Sequence, residues 1–407
     1  MGDTERQCLC QDRETSFVAL SSEPRRRREY IAVSAASFLN AVGSNLQLSV
    51  WPFFLQLSKV SESTYGFFGT ISSIAGIVTR AVGAKLSTRG ESLTLVVGTL
   101  AATCAMLTYA LAPEPATVLI GMTLASISVA LVMMGRTLLI RTVTSTERRA
   151  TSYGVVGTLG NAGTVLATNL GMIMFSVSDY TGLFLLGAGI TFLALLTTLA
   201  LPRRKVGALR GSFLLLSSLR KASPALQRFY LVTALDSLFW AIPMPFFTIT
   251  PVVLFSATKE QIAMLQTLMW GTAIATNVIT TSISDRLHSR KAMLAFSELL
   301  GVMCFAVYSL AQSVPPLYVC AVLFGLVTVT WGPIVSAYIT EVTNHSNIHE
   351  AVGTWMTVTA LARIPGPFIG GFFAEVWHPK APYVIALPVV AILAVIIQVM
   401  VIEPEGT

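Results

Sequence analysis

Two sets of residues recur at helix-face spacing and carry groups able to hold a solute. Asn40, Ser44, Gln47 and Trp51 follow one another at steps of 4, 3 and 4, so an unbroken helix sets two amides, a hydroxyl and an indole on one stripe. Asp236, Trp240, Pro243 and Phe247 repeat those steps. There the carboxyl could carry an exchangeable proton, hold a cation or meet an amine, while Trp240 and Phe247 offer rings to an apolar body. Arg363 is a third candidate. It would pair with an anionic head group or neutralise Asp236 without touching solute. The chain shows no G-x-x-x-x-G-K-[S/T] loop, no H-E-x-x-H pair and no G-x-S-x-G elbow, which argues against built-in ATP coupling and against an enzyme.

These groups matter because of the stretches that carry them. Only 12% of the residues are charged and 54% are hydrophobic, with a mean hydropathy of +0.70. About twelve apolar stretches lie between residues 30 and 402, each near the ~20 residues that a helix needs to cross a bilayer. Helices are the natural spanning element because hydrocarbon cannot satisfy an exposed backbone. The expected fold is therefore an all-α integral membrane protein of twelve transmembrane helices in two six-helix bundles. The bundles would cover 30–202 and 227–402, with a tail at 1–29, a connector at 203–226 and a short tail at 403–407. In such a frame Asp236 lies about 14 Å and Arg363 about 21 Å along their spans, at depths where ionisable groups are expensive. Arg80 and Arg136 fall nearer the ends of spans two and four, where long side chains snorkel to water.

Charge sets the orientation. With the N-terminus inside, Arg25 to Arg28, Arg203, Arg204, Lys205, Arg286, Arg290 and Lys291 fall on the inner side, and only Lys59, Lys259 and Lys380 fall outside. This positive-inside pattern predicts cytoplasmic termini in a plasma-membrane protein. The net charge of +7 is thus a topology signal and no nucleic-acid patch. Arg25 to Arg28 would fix topology or meet anionic membrane lipid. Cys104, Cys304 and Cys320 fall in apolar helices as small hydrophobes, and Cys8 and Cys10 lack companion ligands for a metal. No cofactor is expected beyond a possible coupling proton.

The second six stretches echo the first near an offset of 200, where Tyr30 meets Tyr230, and Tyr153-Gly154 meets Val352-Gly353 at 199. Parallel repeats of six spans are the layout of a two-bundle transporter with a site at the bundle interface. After span eight comes Asp285-Arg286-Leu287-His288-Ser289-Arg290-Lys291, an acid, an arginine and a basic pair. Together these resemble the major facilitator superfamily over the whole hydrophobic region. The resemblance implies alternating access, with Asp285, Arg286, Arg290, Lys291 and Glu341 as a conformational switch. In the first half Gly83 and Gly90 fit the same signature, but Ser87 stands where the family carries Asp. Span four lacks the buried arginine that the family's proton-linked motif supplies.

Spans five and eleven carry small residues of the kind that let helices approach within a membrane. Gly154, Gly157, Gly160 and Gly163 recur every third residue, and Arg363-Ile364-Pro365-Gly366-Pro367 resembles the family's antiporter signature, displaced from span five. The expected activity is secondary active transport of a small organic or amphipathic solute by a monomer, in the direction of proton-coupled export. The competing reading is a membrane receptor or scaffold with a transporter fold. A dicarboxylate site would want two deep cations, and the sequence alone supplies one.

Overall fold

The computed structural model describes residues 24–87, 89–144, 149–202, 219–287, 289–343 and 348–403. Most of the connector 203–226, residues 1–23 of the tail and residues 404–407 lie outside them. The described chain is all helix and turn. Span one is built from α1 (Pro24–Asn45), a 3-10 segment (Leu46–Ser49) and α2 (Trp51–Leu57). Spans two to four are α3 (Glu62–Ser87), α4 (Glu91–Leu111) and α5 (Pro115–Val143). A 51-residue stretch, α6 (Arg149–Leu199), carries spans five and six and turns at Asp179, whose φ of 66° is left-handed. The tight turn is held where the Tyr180 amide donates to Asp179 Oδ1 at 2.6 Å.

The second half repeats this order. Span seven is α7 (Pro224–Ala241), a 3-10 segment (Met244–Phe246) and α8 (Ile249–Phe255). Next come α9 (Lys259–Leu287), α10 (Arg290–Leu310) and α11 (Pro315–Val342). Span eleven breaks into α12 (Ile348–Arg363) and α13 (Gly366–Val376), and α14 (Ala381–Met400) closes the chain. The first helix starts at Pro24, earlier than the expected 30, because Pro suits a first helical turn and the arginines after it are good helix formers.

The repeat is visible in bonds as well as in order. Tyr30 donates its hydroxyl to the Ser152 carbonyl at 3.4 Å, and Tyr230 donates to the Ala351 carbonyl at 3.0 Å. Spans one and seven both break into a long helix, a 3-10 segment and a short helix, and each ends in a left-handed residue, Lys59 or Ser256. Seven helical stretches among the described residues are long and apolar enough to cross a membrane alone. One of these, Ser152–Leu199, is long enough for two crossings. The other crossings fall on helices broken midway or rich in Ser, Thr and Gly. Val177 and Val399 remain 79% and 75% exposed, as suits side chains that face lipid.

Because spans alternate in direction, each half has one end that holds its termini, called proximal here, and one distal end. The apolar interior divides the same way. The two proximal clusters, around Leu139 and Val156 in one half and Phe229 and Tyr338 in the other, draw only on their own half. The two distal clusters interpenetrate. Phe246 and Ile249 of the second half lie in the first half's cluster, and Phe53 packs against the second's.

Glycines permit the tightest approaches. The α6 glycines do not form the single ridge that their three-residue spacing suggests. Three residues turn a helix by about 300°, so the row winds round and Gly154 and Gly163 end on opposite faces. A Cβ at Gly163 would touch Phe38 and Ala41 of α1, whereas one at Gly154 or Gly157 would meet nothing within 4 Å. The packing line runs on instead to Gly171, against the Leu46 carbonyl at the break of span one. Asn45 donates to Thr164 at 3.0 Å and Ser49 to the Thr168 carbonyl at 2.8 Å along that line.

Of the expected switch, Arg290 grips Glu341 with Nε at 3.1 Å and Nη2 at 2.8 Å from Oε1. Lys291 contributes its backbone amide to Glu403 at 3.1 Å, and Ser289 donates to the same carboxylate at 2.5 Å. Glu403 therefore satisfies one free amide at the start of α10, where the helix dipole also favours an anion, and Ser289 Oγ accepts from a second, that of Ala292. Asp285 and Arg286 close α9, and their side chains lie outside the described residues. The Arg290–Glu341 pair is exposed enough to be screened by solvent, so Glu341→Gln should lower stability by less than about 1 kcal/mol. Thermal unfolding in detergent checks this, and a large loss would mean that the pair braces the fold itself.

Candidate functional site

The two halves meet along two lines, both on the distal side. Along the first, α3 lies on α13. A Cβ at Gly66 would overlap the Pro367 carbonyl, one at Gly371 would overlap that of Glu62, and one at Gly69 would come 2.9 Å from Pro367 Cβ. The Ser63 amide, near the start of α3, donates to Glu375 Oε2 at 2.9 Å, so one half caps a helix of the other. The lowest link is Thr70, which donates to the Ile364 carbonyl at 3.0 Å. Along the second line Lys259 donates to Ser176 at 2.5 Å and Asn169 to Thr267 at 2.9 Å. Between the lines, Tyr65 and Phe246 cross edge to face at 5.9 Å.

Proximal of Thr70 and Asn169 no hydrogen bond joins the halves among the described residues. A Cβ at Gly154, Gly157, Gly332 or Gly353, on the proximal parts of spans five, ten and eleven, would meet no described atom within 4 Å. Among the described residues the bonds between halves thus stop at mid-depth, near the breaks of spans one, seven and eleven, which form the roof of a proximal opening, called the cleft here.

The expected site residues divide at this roof. Arg363 ends α12 directly proximal of the Thr70–Ile364 seal and is exposed. Asn40, Ser44 and Gln47 keep their shared stripe on span one. Asn40 Oδ1, Ser44 Oγ and Gln47 Oε1 are each buried without a hydrogen-bond partner, an arrangement that costs about 1–3 kcal/mol per group until something pairs with it. Trp355 Nε1, two turns below Arg363, is buried and unpartnered as well.

Trp51 leaves the stripe. The 3-10 segment at Leu46–Ser49 and the break at Val50 reset the helical phase, and a 4-3-4 spacing holds one face only in a continuous helix. Its indole donates to Tyr65 at 3.3 Å and packs edge-on to Tyr109 at 5.2 Å, in an aromatic group that closes the distal end of the first half.

Trp240 and Phe247 also turn inward, to the core of the second half. Trp240 packs on Phe305 at 4.7 Å and Phe324 at 5.6 Å, and Phe247 lies on Tyr308 at 5.3 Å. For Phe247 the reason is again a break, at Pro243 and the 3-10 turn after it; Trp240 precedes the break and keeps the face of α7 that it shares with Asp236, which is turned to Glu298 of α10. These rings support the roof from behind.

Asp236 is 5% exposed and Glu298 of α10 is 1% exposed. The two carboxyls neighbour each other and the Arg363 charge, and Trp240 Nε1 donates to Glu298 Oε2 at 3.4 Å. Two adjoining buried carboxyls are stable together when a proton is shared between them. Glu298 stands on α10, outside the two polar stripes that the sequence singles out. The signal that marks it is its charge within an otherwise apolar helix. Arg363 forms no ion pair with Asp236 among the described residues. Its charge also reaches Arg80, which stands ten residues, or about 15 Å, proximal of Thr70 on α3 and on the helix face of Gly66 and Gly69 that is turned to the other half. Arg136 of α5 sets Nη1 beside Gly160, 3.9 Å from where a Cβ would stand.

Comparison with known proteins agrees with this geometry. The sequence profile described as Major Facilitator Superfamily matches residues 33–229 and again 229–407. A stretch of 134 residues is 29% identical to multidrug resistance protein 1 of Bacillus subtilis (strain 168), covering 32% of this chain and 34% of that protein. The matched stretch thus spans about a third of that relative's length. Among solved structures, the nucleoside transporter NupG superposes with a TM-score of 0.77 at 14% identity, over 91% of this chain and 99% of that one. The human organic anion transporter MFSD10 (TETRAN) does so with 0.67 at 16%, over 92% and 100%. A POT family transporter in complex with 5-aminolevulinic acid gives 0.76 at 13%, over 94% and 97%. With the profile matched twice across nearly the whole chain, this chain belongs to the major facilitator superfamily.

Proposed function

We propose that the chain exports amphipathic organic solutes across the plasma membrane in exchange for protons, as a monomer with both termini and residues 203–226 in the cytoplasm. The observation that carries this reading is the cleft itself, sealed distally and roofed at mid-depth by Arg363 and the span-one stripe. With the termini inside, it is the cytoplasm-facing state of an alternating-access cycle, ready to load. Gly154, Gly157, Gly332 and Gly353 are then the smooth faces that would come together when the proximal end closes. The Lys and Arg bias supports the orientation, and the partial similarity to a bacterial multidrug resistance protein supports export. The proton would ride on the Asp236–Glu298 pair, the acid group nearest the roof.

The test is purified protein in proteoliposomes with an imposed pH difference. A fluorescent amphipathic dye should accumulate against its gradient and leak back when a protonophore is added. Dye that binds without gradient-driven movement would favour a receptor or scaffold instead. Orientation has its own check: a cysteine introduced as Ser212→Cys should react with an impermeant reagent only in opened cells.

A further inference from the structure

Building on the transport reading, we infer that the solute is an organic anion whose head group is held at the cleft roof between Arg363 of one half and Arg80 of the other. Both side chains are exposed at the cleft, and neither makes a hydrogen bond or ion pair with an acid among the described residues. Their charges lie close enough to act on each other across the two halves. Arg136, beside Gly160, adds a third cation from the first half.

The acids at this depth do not balance them. Asp236 and Glu298 neighbour each other, 5% and 1% exposed, and the indole of Trp240 closes on Glu298. The cleft therefore presents a net positive field between low-dielectric walls, which concentrates anions. Guanidinium groups pair with carboxylate, sulfonate or phosphate through two parallel N–H donors, and two such groups can grip one head from both sides.

Other contacts define the rest of the solute. Asn40 Oδ1 and Gln47 Oε1 are unsatisfied acceptors and Trp355 Nε1 an unsatisfied donor, all closed off from solvent, so a solute that pairs with them must first displace a neighbouring side chain. The span-one stripe and Trp355 thus fit a body that is largely apolar with one or two polar substituents. An amine-bearing solute fits poorly, because Asp236 and Glu298, the carboxyls nearby among the described residues, are both buried. The same charges bear on the cycle. In the empty protein Arg80 and Arg363 repel across the gap that must close, and a bound anion replaces that repulsion with two attractions.

The experiment compares four probes of one shape on purified wild-type protein: naphthalene-2-carboxylate, naphthalene-2-sulfonate, neutral 2-naphthamide and cationic 2-naphthylmethylammonium. Thermal-shift titration measures binding, and proteoliposome flux measures transport. The two anions should bind and move, with affinity falling as salt rises, while the amide and the ammonium should not. Arg363→Gln and Arg80→Gln should each weaken anion binding by about tenfold to a hundredfold, and Arg363→Lys should lose less because it keeps the charge. Should Arg363→Gln fail to fold, Arg80→Gln and Arg363→Lys still decide the matter. Equal binding of amide and carboxylate, native anion affinity in both Gln variants, or binding of none of the four probes overturns the inference. Flux of the amide or ammonium alone would overturn the anion class and leave transport standing. Arginine-dependent anion binding without any flux would do the reverse.

Discussion

Gly66→Ala should trap the protein with its distal end open and cut transport about tenfold or more. The added Cβ would overlap the Pro367 carbonyl, and the neighbouring atoms are all backbone of α13, 3.0 Å from the Pro367 carbonyl carbon and 3.1 Å from Gly371 Cα. No flexible side chain stands there to move aside. Overpacking of this kind costs about 1–3 kcal/mol, and each ~1.4 kcal/mol moves a two-state equilibrium tenfold. The penalty falls on the sealed state alone, because the contact is between halves. Spin labels at Leu57 and Trp377, both exposed near the distal end, should report a longer separation in the variant. Gly189→Ala is the control, since a Cβ there meets nothing within 4 Å. An unchanged label distance in Gly66→Ala, with normal flux, would remove this line as the seal.

Asp236→Asn should abolish proton-driven accumulation while leaving a folded protein that still exchanges solute. The amide can donate to Glu298 in place of the shared proton, so the buried contact survives, but the site can no longer load and release that proton. With a pH difference of one unit, stoichiometric exchange allows roughly tenfold accumulation; the variant should bring this close to onefold. Asp236→Leu should behave differently. It leaves Glu298 buried with one partner fewer, which is destabilising by about 3–5 kcal/mol if the carboxyl must be charged, and should lower expression and melting temperature. Flux assays with and without the gradient distinguish these outcomes. Undiminished gradient-driven accumulation in Asp236→Asn would take the proton away from this pair.

The bundle repeat was readable because membrane helices announce themselves by length and apolarity, and Tyr30 and Tyr230 do make equivalent bonds. The site was readable wherever helices run unbroken. Asn40 and Ser44 precede the break of span one and Gln47 lies within its 3-10 segment, whereas Trp51 follows it and turns to Tyr65 and Tyr109. Pro243 gave warning of the same event in span seven, yet its effect on Phe247 depends on where Tyr308 and Phe324 stand, and the place of Trp240 depends on Phe305 and Glu298. Those positions come from packing between distant segments, which periodicity does not record. Arg80 lies seven residues from the end of α3, as depth along one helix predicts, but that the Arg363 charge reaches it depends on the approach of α12 to α3. The contacts between halves, Ser63 with Glu375 and Asn169 with Thr267, join residues more than ninety positions apart and leave no local trace.

The turn at Asp179 has a mechanical consequence. Spans five and six meet with no loop between them, so little slack exists at the distal end of α6 and the pair must tilt as one body. Its contact with the other half, at Asn169, then acts as a fulcrum. From there to Arg149 the helix runs twenty residues, or about 30 Å. A tilt of roughly 10° about Asn169 swings the far end by roughly 5 Å over that arm, while the turn at Asp179, on the short arm, shifts about half as far. The geometry is that of a lever with its load at the proximal mouth. A displacement at the seal no larger than one atomic diameter becomes, at the other end, an aperture wide enough to admit an aromatic ring.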